Sequence, residues 1–489
     1  MLKHFIIIVI FFSFLYTGTQ RLEFTTDTVI ATLLPVSLIR GEGFGLEKLG
    51  PVAYRINPSK LNDNGLPYYI VGNNDRLFSV FPVFTSVIST PIYLLPVLAN
   101  NITTSNIANN LHNIHLIASL GKVSASVFSA ISVAIVYLIV REFLKTKKAL
   151  LIAIFYALGT STLSLSSQGL WQTGAAQMFV SATLFFFVKG QRNKNLLPFC
   201  GLFLGFATIT RYPIAMIALT FAIYFLIFER KRFIKFILFA MPAISFLIWY
   251  QLAYPGDLFF HEYEGVGQIV SLQNPITKGI PGLLLAPNKG LLIYSPIFIF
   301  SILGAILSWT KRNKTFIFLS TTIVIYLFFI GIWSIWHGGW SFGPRTLAEI
   351  TPFATILLIP VLNSRKVWSK YSLKIAFILT GLLSIFIHFL GVTTANNSWY
   401  IEQTKNLSLE ESHKGHFFWD FKNPEILFYF KRAGGFDGLI QVLIMELKSI
   451  GPNLTKALTL IIILQVLYSL PKLQNKQSKL SFSPKKRAQ

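Results

Sequence analysis

Cysteine is nearly absent: Cys200 is the only one in 489 residues. That excludes an intrachain disulfide framework and a cysteine-ligated metal site. Charge is scarce as well, at 13% of residues, against roughly 25% in soluble domains. Acids are the scarcer sign, with 19 Asp and Glu against 43 Lys and Arg. No internal repeat and no low-complexity linker interrupts the chain. What fills it instead is apolar: 53% hydrophobic and 15% aromatic residues, with mean hydropathy +0.58. Apolar runs of about 20 residues, the length that crosses a bilayer, recur from end to end. These properties define an all-α polytopic membrane protein.

The formal net charge is +24. Its basic residues sit in short clusters between apolar runs rather than on one face, which argues against nucleic-acid binding and for cytoplasmic loops under the positive-inside rule. The clusters are Arg141/Lys145/Lys147/Lys148, Lys189/Arg192/Lys194, Arg230/Lys231/Arg232/Lys235, Lys311/Arg312/Lys314, Arg365/Lys366/Lys370/Lys374 and the tail 471–489. Each consecutive pair encloses two spans and a turn. The expected spans run near 3–18, 114–140, 149–167, 172–188, 196–210, 212–228, 233–251, 291–309, 315–335, 346–362, 373–392 and 455–470. That makes twelve, with both termini cytoplasmic and the first span an uncleaved one.

The segment 80–99 is apolar enough to be a thirteenth span, but counting it would move the cluster at 141–148 outside. It also carries Pro82, Pro91 and Pro96, which interrupt helix hydrogen bonding. It is therefore expected as a broken helix on or in the outer leaflet. Of the 19 acids, only Glu142 and Glu229 fall in the loops assigned to the cytoplasm. The outer segments are 20–113, 252–290 and 393–454, expected to fold into a cap. Residues 1–365 form the larger unit and 366–489 a C-terminal membrane region.

Every unusual motif lands on the outer side. In "EFTTDTVIATLLPVSLIRGEGFGLE", Thr25, Thr26 or Asp27 would cap a short helix lying on the membrane. In "SSQGLWQTG", Gln168, Trp171 and Gln172 offer hydrogen bonding beside an aromatic face, suited to a carbohydrate or lipid headgroup. An interfacial tryptophan belt is the plainer reading. Arg211 in "TITRYP" lies between two short runs, where it must reach the interface or face water, protein or an anion. In "LLLAPNKGLLIYSP", Asn288, Lys289 and Gly290 form a turn of the kind that can cradle phosphate. The stretch "GDLFFHEYEG" carries Asp257, His261, Glu262 and Glu264, an incomplete metal ligand set. In "WHGGWSFGPR", Trp336, His337 and Trp340 could flank a sugar or prenyl chain. Arg345, at a helix entrance, could hold a phosphate through two parallel hydrogen bonds. No one motif is specific; their shared side is the signal. It suits a lipid-phosphate substrate entering from the bilayer better than a proton-coupled transporter, which carries acids within its spans.

These blocks, with "RLFSVFPVFTSVISTPIYLLP" and "GFATITRYP", resemble the GT-C superfamily of membrane glycosyltransferases over most of the chain to about residue 365. The similar branch is that of protein mannosyltransferases and aminoarabinose transferases. The resemblance implies a polyprenyl-phosphate sugar donor used on the non-cytoplasmic face of the cytoplasmic membrane. It implies an inverting transfer to a lipid, glycan or protein acceptor, with an acid of the first outer loop as base. By position that acid is Asp27. Arg345, Lys289 and Arg211 are the expected cations for the donor phosphate. Many members carry two adjacent acids there, whereas Thr28 follows Asp27; Glu23 or Glu262 would supply the second. No cofactor and no obligatory metal is expected. The alternative function is a flippase or other transporter of a lipid-linked sugar.

Overall fold

The computed structural model describes residues 2–56, 65, 67–73, 76–254, 272–407, 411 and 415–481. The chain opens with α1 (Leu2–Gly18), α2 (Thr26–Ile39) and α3 (Leu49–Ile56). A short antiparallel hairpin, β1 (Ile70–Asn73) and β2 (Arg76–Ser79), pairs Ile70 with Ser79 and Asn73 with Arg76. Then come α4 (Phe84–Ala99), α5 (Leu111–Arg141), α6 (Thr146–Leu158), α7 (Gln172–Gly190), α8 (Phe199–Thr210), α9 (Ala215–Phe228) and α10 (Arg230–Ala253). The second half holds α11 (Ile276–Leu285), α12 (Leu291–Tyr294), α13 (Ile299–Thr310), α14 (Lys314–Gly331), α15 (Thr351–Ile356), α16 (Ile359–Asn363), α17 (Arg365–Trp368), α18 (Tyr371–Thr394), α19 (Ser398–Thr404), α20 (Glu425–Arg432) and α21 (Gly435–Ser481).

This is an all-α polytopic membrane protein. Among the described residues, five helical stretches are long and apolar enough to cross a membrane: Leu111–Arg141, Arg230–Ala253, Lys314–Gly331, Arg345–Asn363 and Tyr371–Thr394. Most of the other expected spans fall on shorter or interrupted helices, while 172–188 lies in the 19-residue α7 and 455–470 inside α21. The run 149–167 is α6, a break, and a π-helical turn over Thr162–Ser166.

Two expectations are corrected. The segment 80–99 is not broken: α4 is continuous through Pro91 and Pro96. Within it the Ser89 and Thr90 hydroxyls donate to Ser86 O at 2.9 Å each. The segment 393–454 is not one loop ahead of a last span at 455–470. Helix starts at Gly435 and runs 47 residues through that span, about 70 Å at 1.5 Å per residue.

The local sequence explains the central helix. Asn110 caps α5 by accepting the His112 amide at 2.9 Å, which satisfies an otherwise orphan donor. Arg141 ends it, where a cation suits the helix dipole. Small buried residues along it, among them Ala118, Gly121, Ser124, Ala125 and Ser129, let α1 and α7 pack closely. Elsewhere the chain approaches even closer: a Cβ at Gly201 of α8 would fall 2.0 Å from Phe236 O of α10.

The two ends of the bundle differ in chemistry. At one end the loops that carry Glu142, Lys189, Arg192, Lys194, Glu229 and Arg232 meet, and both acids are used there. Glu142 pairs with Lys189 at 2.6 Å and Arg192 at 3.2 Å; Glu229 pairs with Lys194 at 2.5 Å and Arg232 at 2.9 Å. The other end carries the first loop, with α2, α3, the hairpin and α4 around a core of Leu33, Leu34, Leu46, Tyr69, Tyr93 and Val97. A second pad, built from α19, the turn His416–Trp419 and α20, joins the main core through Trp399, Phe418 and Tyr429.

Candidate active site

The site forms where the first loop meets the chain before α15. Thr25 is the N-cap of α2, and its amide donates to the Thr28 hydroxyl at 2.9 Å. Asp27 therefore lies in the first helical turn, where the helix dipole favours a carboxylate. Its Oδ2 is 2.5 Å from Arg345 Nη1, across 318 residues of sequence. The Tyr68 hydroxyl donates to its Oδ1. Both members of the ion pair keep just under a fifth of their side chains exposed. The Arg345 guanidinium lies over the Trp171 ring, 4.8 Å from its centroid. Trp171 itself is buried and is the N-cap of α7.

The turn that carries Trp171 is fastened to the first loop. The Glu23 amide donates to Gln168 O at 2.8 Å, and a Cβ at Gly169 would land 2.2 Å from Glu23 O, so only glycine fits. The Gln168 amide group donates to Leu163 O and accepts from the Thr19 hydroxyl, both at 2.8 Å. Gln168 is thus a buried brace. Gln172 opens α7, partly buried.

The segment 336–345 turns tightly. Gly338, Gly339 and Gly343 adopt φ of 72°, 70° and 73°, a region other residues rarely occupy. Lys289 sits beneath this turn, 1% exposed, and donates to Gly339 O at 2.9 Å, Ser341 O at 2.5 Å and Gly343 O at 3.2 Å. Its ammonium also lies over the Tyr400 and Phe418 rings. Next to it, Asn288 donates to Phe417 O, Phe418 O and Asp420 O, and accepts the Glu425 amide at 2.5 Å. The Asn288–Lys289–Gly290 turn therefore clamps two chain segments.

Glu425 completes that clamp. It is fully buried, and Tyr294 donates to its Oε2 at 2.5 Å. Burial pushes the Glu425 carboxyl up to about 7, against the opposing pull of Lys289 and Tyr294. Burial likewise brings the Lys289 ammonium down to about 7, and Glu425 resists it. Arg211, at the break between α8 and α9, pairs through Nε with Glu349 Oε1 at 2.7 Å. Glu349 is fully buried, and Tyr326 donates to its Oε2 at 3.2 Å.

Trp336 is buried with its ring against Gly282, and His337 lies tilted against Phe418 at 4.4 Å and 35°. Trp340 differs: it is 47% exposed and stacks on Tyr400 at 5.9 Å and 15°. Glu23 pairs with Arg21 at 2.6 Å. Glu262 lies outside the described residues, as do Asp257, His261 and Glu264. Among the described residues, no three His, Cys, Asp or Glu side chains gather to hold a metal.

The structure thus joins Asp27, Trp171 and Arg345, and gives Lys289 and Arg211 internal partners. Sequence reading did not single out Tyr68, Glu349, Glu425 or the Lys122–Glu446 region. Lys122 on α5 donates to the Thr19 hydroxyl at 3.1 Å and to Arg21 O at 2.5 Å, while Glu446 of α21 accepts the Gln20 amide at 3.2 Å. A lone lysine inside a 31-residue apolar helix was a legible signal; Tyr68 left none.

Fold and site together define a membrane-embedded helical bundle with the candidate site at one end. Residues 121–253 match the family model of dolichyl-phosphate-mannose-protein mannosyltransferase, a family of the GT-C glycosyltransferase superfamily. No curated protein and no solved structure matches the chain. The match covers about a quarter of the chain and supports glycosyltransferase activity of the GT-C type in general. It includes Gln168, Trp171, Gln172 and Arg211; Asp27, Lys289 and Arg345 lie outside it.

Proposed function

We propose that the protein is an inverting glycosyltransferase. It moves a sugar from a polyprenyl phosphate to a lipid, glycan or protein acceptor on the non-cytoplasmic face of the cytoplasmic membrane, with both termini cytoplasmic and no obligatory metal. Asp27 takes the proton of the acceptor hydroxyl. The hydroxyl oxygen attacks the anomeric carbon, and the bond from that carbon to the phosphate oxygen breaks. Arg345 holds the departing phosphate. Such a phosphate leaves readily, so the protein mainly supplies a base and a fixed cation. The observation that carries this reading is the meeting of Asp27 and Arg345 over Trp171.

Lys289 and Arg211 serve this site by shaping its frame, since each is already held by acceptors of the protein. Trp340, exposed on the Arg345 segment, offers a flat face for a sugar.

The test is a transfer assay in membranes with a panel of polyprenyl-phosphate sugars. Asp27→Asn is expected to lower transfer by about 10²–10⁴, the range for loss of a general base, while the protein stays inserted. Full transfer by this variant would remove Asp27 from the base role. Movement of the lipid-linked sugar across the membrane with no new glycosidic bond would favour the flippase instead.

A further inference from the structure

Both oxygens of Asp27 are occupied in the structure. Arg345 Nη1 covers Oδ2 at 2.5 Å, and the Tyr68 hydroxyl covers Oδ1. A carboxylate that removes a proton must present an oxygen to the donating hydroxyl at about 2.6–3.2 Å. The arginine takes one of the positions that such a hydroxyl would use on Oδ2.

The same arginine has capacity left over. A guanidinium carries several N–H donors in a flat fork. The Arg345 Nε is buried and has no hydrogen-bond partner. Neither has Nε1 of Trp171, the ring on which the guanidinium lies, and Trp171 is 6% exposed. Two stacked side chains thus hold unsatisfied donors, which is costly unless an acceptor arrives. Beside them, a Cβ at Gly339 would meet nothing nearer than Arg345 Nη2 at 3.9 Å, so there is room at the edge of the fork.

We propose that Arg345 is an exchange element: it covers Asp27 until the phosphate of the donor lipid takes the arginine and uncovers the base. This rests on the reading of a polyprenyl-phosphate donor. A phosphodiester offers two non-bridging oxygens, which match an arginine fork and the neighbouring indole N–H. The exchange replaces one negative partner by another, so the guanidinium is never left unpaired. Trp171 keeps the guanidinium plane in place while its edge changes partner. Asp27, still held by Tyr68, then faces the acceptor hydroxyl. The hydroxyl proton passes to Asp27, the new bond to the anomeric carbon forms, and the electron pair of the old bond leaves on the polyprenyl phosphate. Arg345 stays on that phosphate until it departs, then returns to Asp27 as the proton is lost to water. Binding is therefore ordered, donor before acceptor.

The experiment reads the exposure of Asp27 rather than transfer. The full-length protein in nanodiscs is treated with a carbodiimide and a nucleophile, and Asp27 labelling is quantified by mass spectrometry. The probe is a short-chain polyprenyl monophosphate, with the matching polyprenol as control and binding followed by radiolabel. Labelling is expected to rise roughly tenfold with the phosphate, about the factor for one charge-assisted hydrogen bond, and to stay unchanged with the polyprenol. Arg345→Ala is expected to label strongly with or without the phosphate; Arg345→Lys, which keeps the charge and loses the fork, falls between. Bound polyprenyl phosphate with unchanged labelling of the wild-type protein would overturn the exchange and leave the donor reading intact. A rise with polyprenol overturns it equally, since the chain would then be the trigger. Failure of polyprenyl phosphate to bind would overturn the exchange and the donor reading together.

Discussion

Replacing Lys289 by Met separates two roles that the sequence leaves indistinguishable. Methionine keeps the length of the stem and removes the ammonium. Three carbonyls, of Gly339, Ser341 and Gly343, then lose a donor. None is orphaned: Gly339 O keeps the Ser341 amide at 3.1 Å, Ser341 O the Tyr400 hydroxyl at 2.6 Å and Gly343 O the Arg345 amide at 3.1 Å. The larger loss is the counter-charge of Glu425, which is fully buried. Removing one partner of a buried charged pair costs about 3–5 kcal/mol. Burial already pushes Glu425 to about 7, so it can take up a proton instead, and the low end, about 3 kcal/mol, applies. Thermal unfolding of the detergent-solubilised protein, followed by intrinsic fluorescence, is therefore expected to shift down by several degrees. Transfer by the fraction that stays folded should keep its donor KM. An unchanged unfolding midpoint with a raised donor KM would refute the clamp and return Lys289 to the phosphate.

Glu349→Ala leaves Arg211, 12% exposed, without its acid, and a loss of about 3 kcal/mol, the low end for a buried pair, is expected in the same unfolding assay; unchanged stability would mean that Arg211 reaches water. Glu425 titrates higher in the folded protein than its ordinary 4.5. The stability it contributes is thus fully present below about pH 4.5 and lost as the pH rises through about 7. Wild type should lose stability relative to Glu425→Gln between pH 5 and pH 8, as read by unfolding midpoints of both, and a difference independent of pH counts against the buried carboxyl. Trp340→Ala should leave the unfolding midpoint in place, because the ring is 47% exposed, and should weaken sugar discrimination across the donor panel. Loss of folding would make Trp340 a packing residue.

Parts of this site were legible before any coordinates. Asp27 follows threonines that cap a helix, so its place in a first turn is a local property, and the structure puts it there. Gly338, Gly339 and Gly343 stand just before Arg345 in the sequence, and all three adopt the positive φ that glycine tolerates. The roles of Lys289 and Arg211 were not legible. A lysine at a span lip reads the same whether it faces phosphate or three carbonyls, and its acceptors come from a segment about fifty residues away. Proline in 80–99 misled for a related reason: each proline removes one donor, and whether the helix survives depends on what surrounds it.

The sequence by itself determined the class of the protein and the chemical difference between its two ends. Hydropathy, charge clusters and turn residues are written in windows of a few residues and act there, whatever the rest of the chain does. Only the tertiary structure decided which charges meet. Asp27 reaches Arg345 across 318 residues, Arg211 reaches Glu349, and Lys289 reaches the turn above it. Those pairings depend on the order in which helices pack around α5, where buried small residues permit close approach. A charge taken out of water must find a partner, but its partner is chosen by whichever segment the bundle brings alongside.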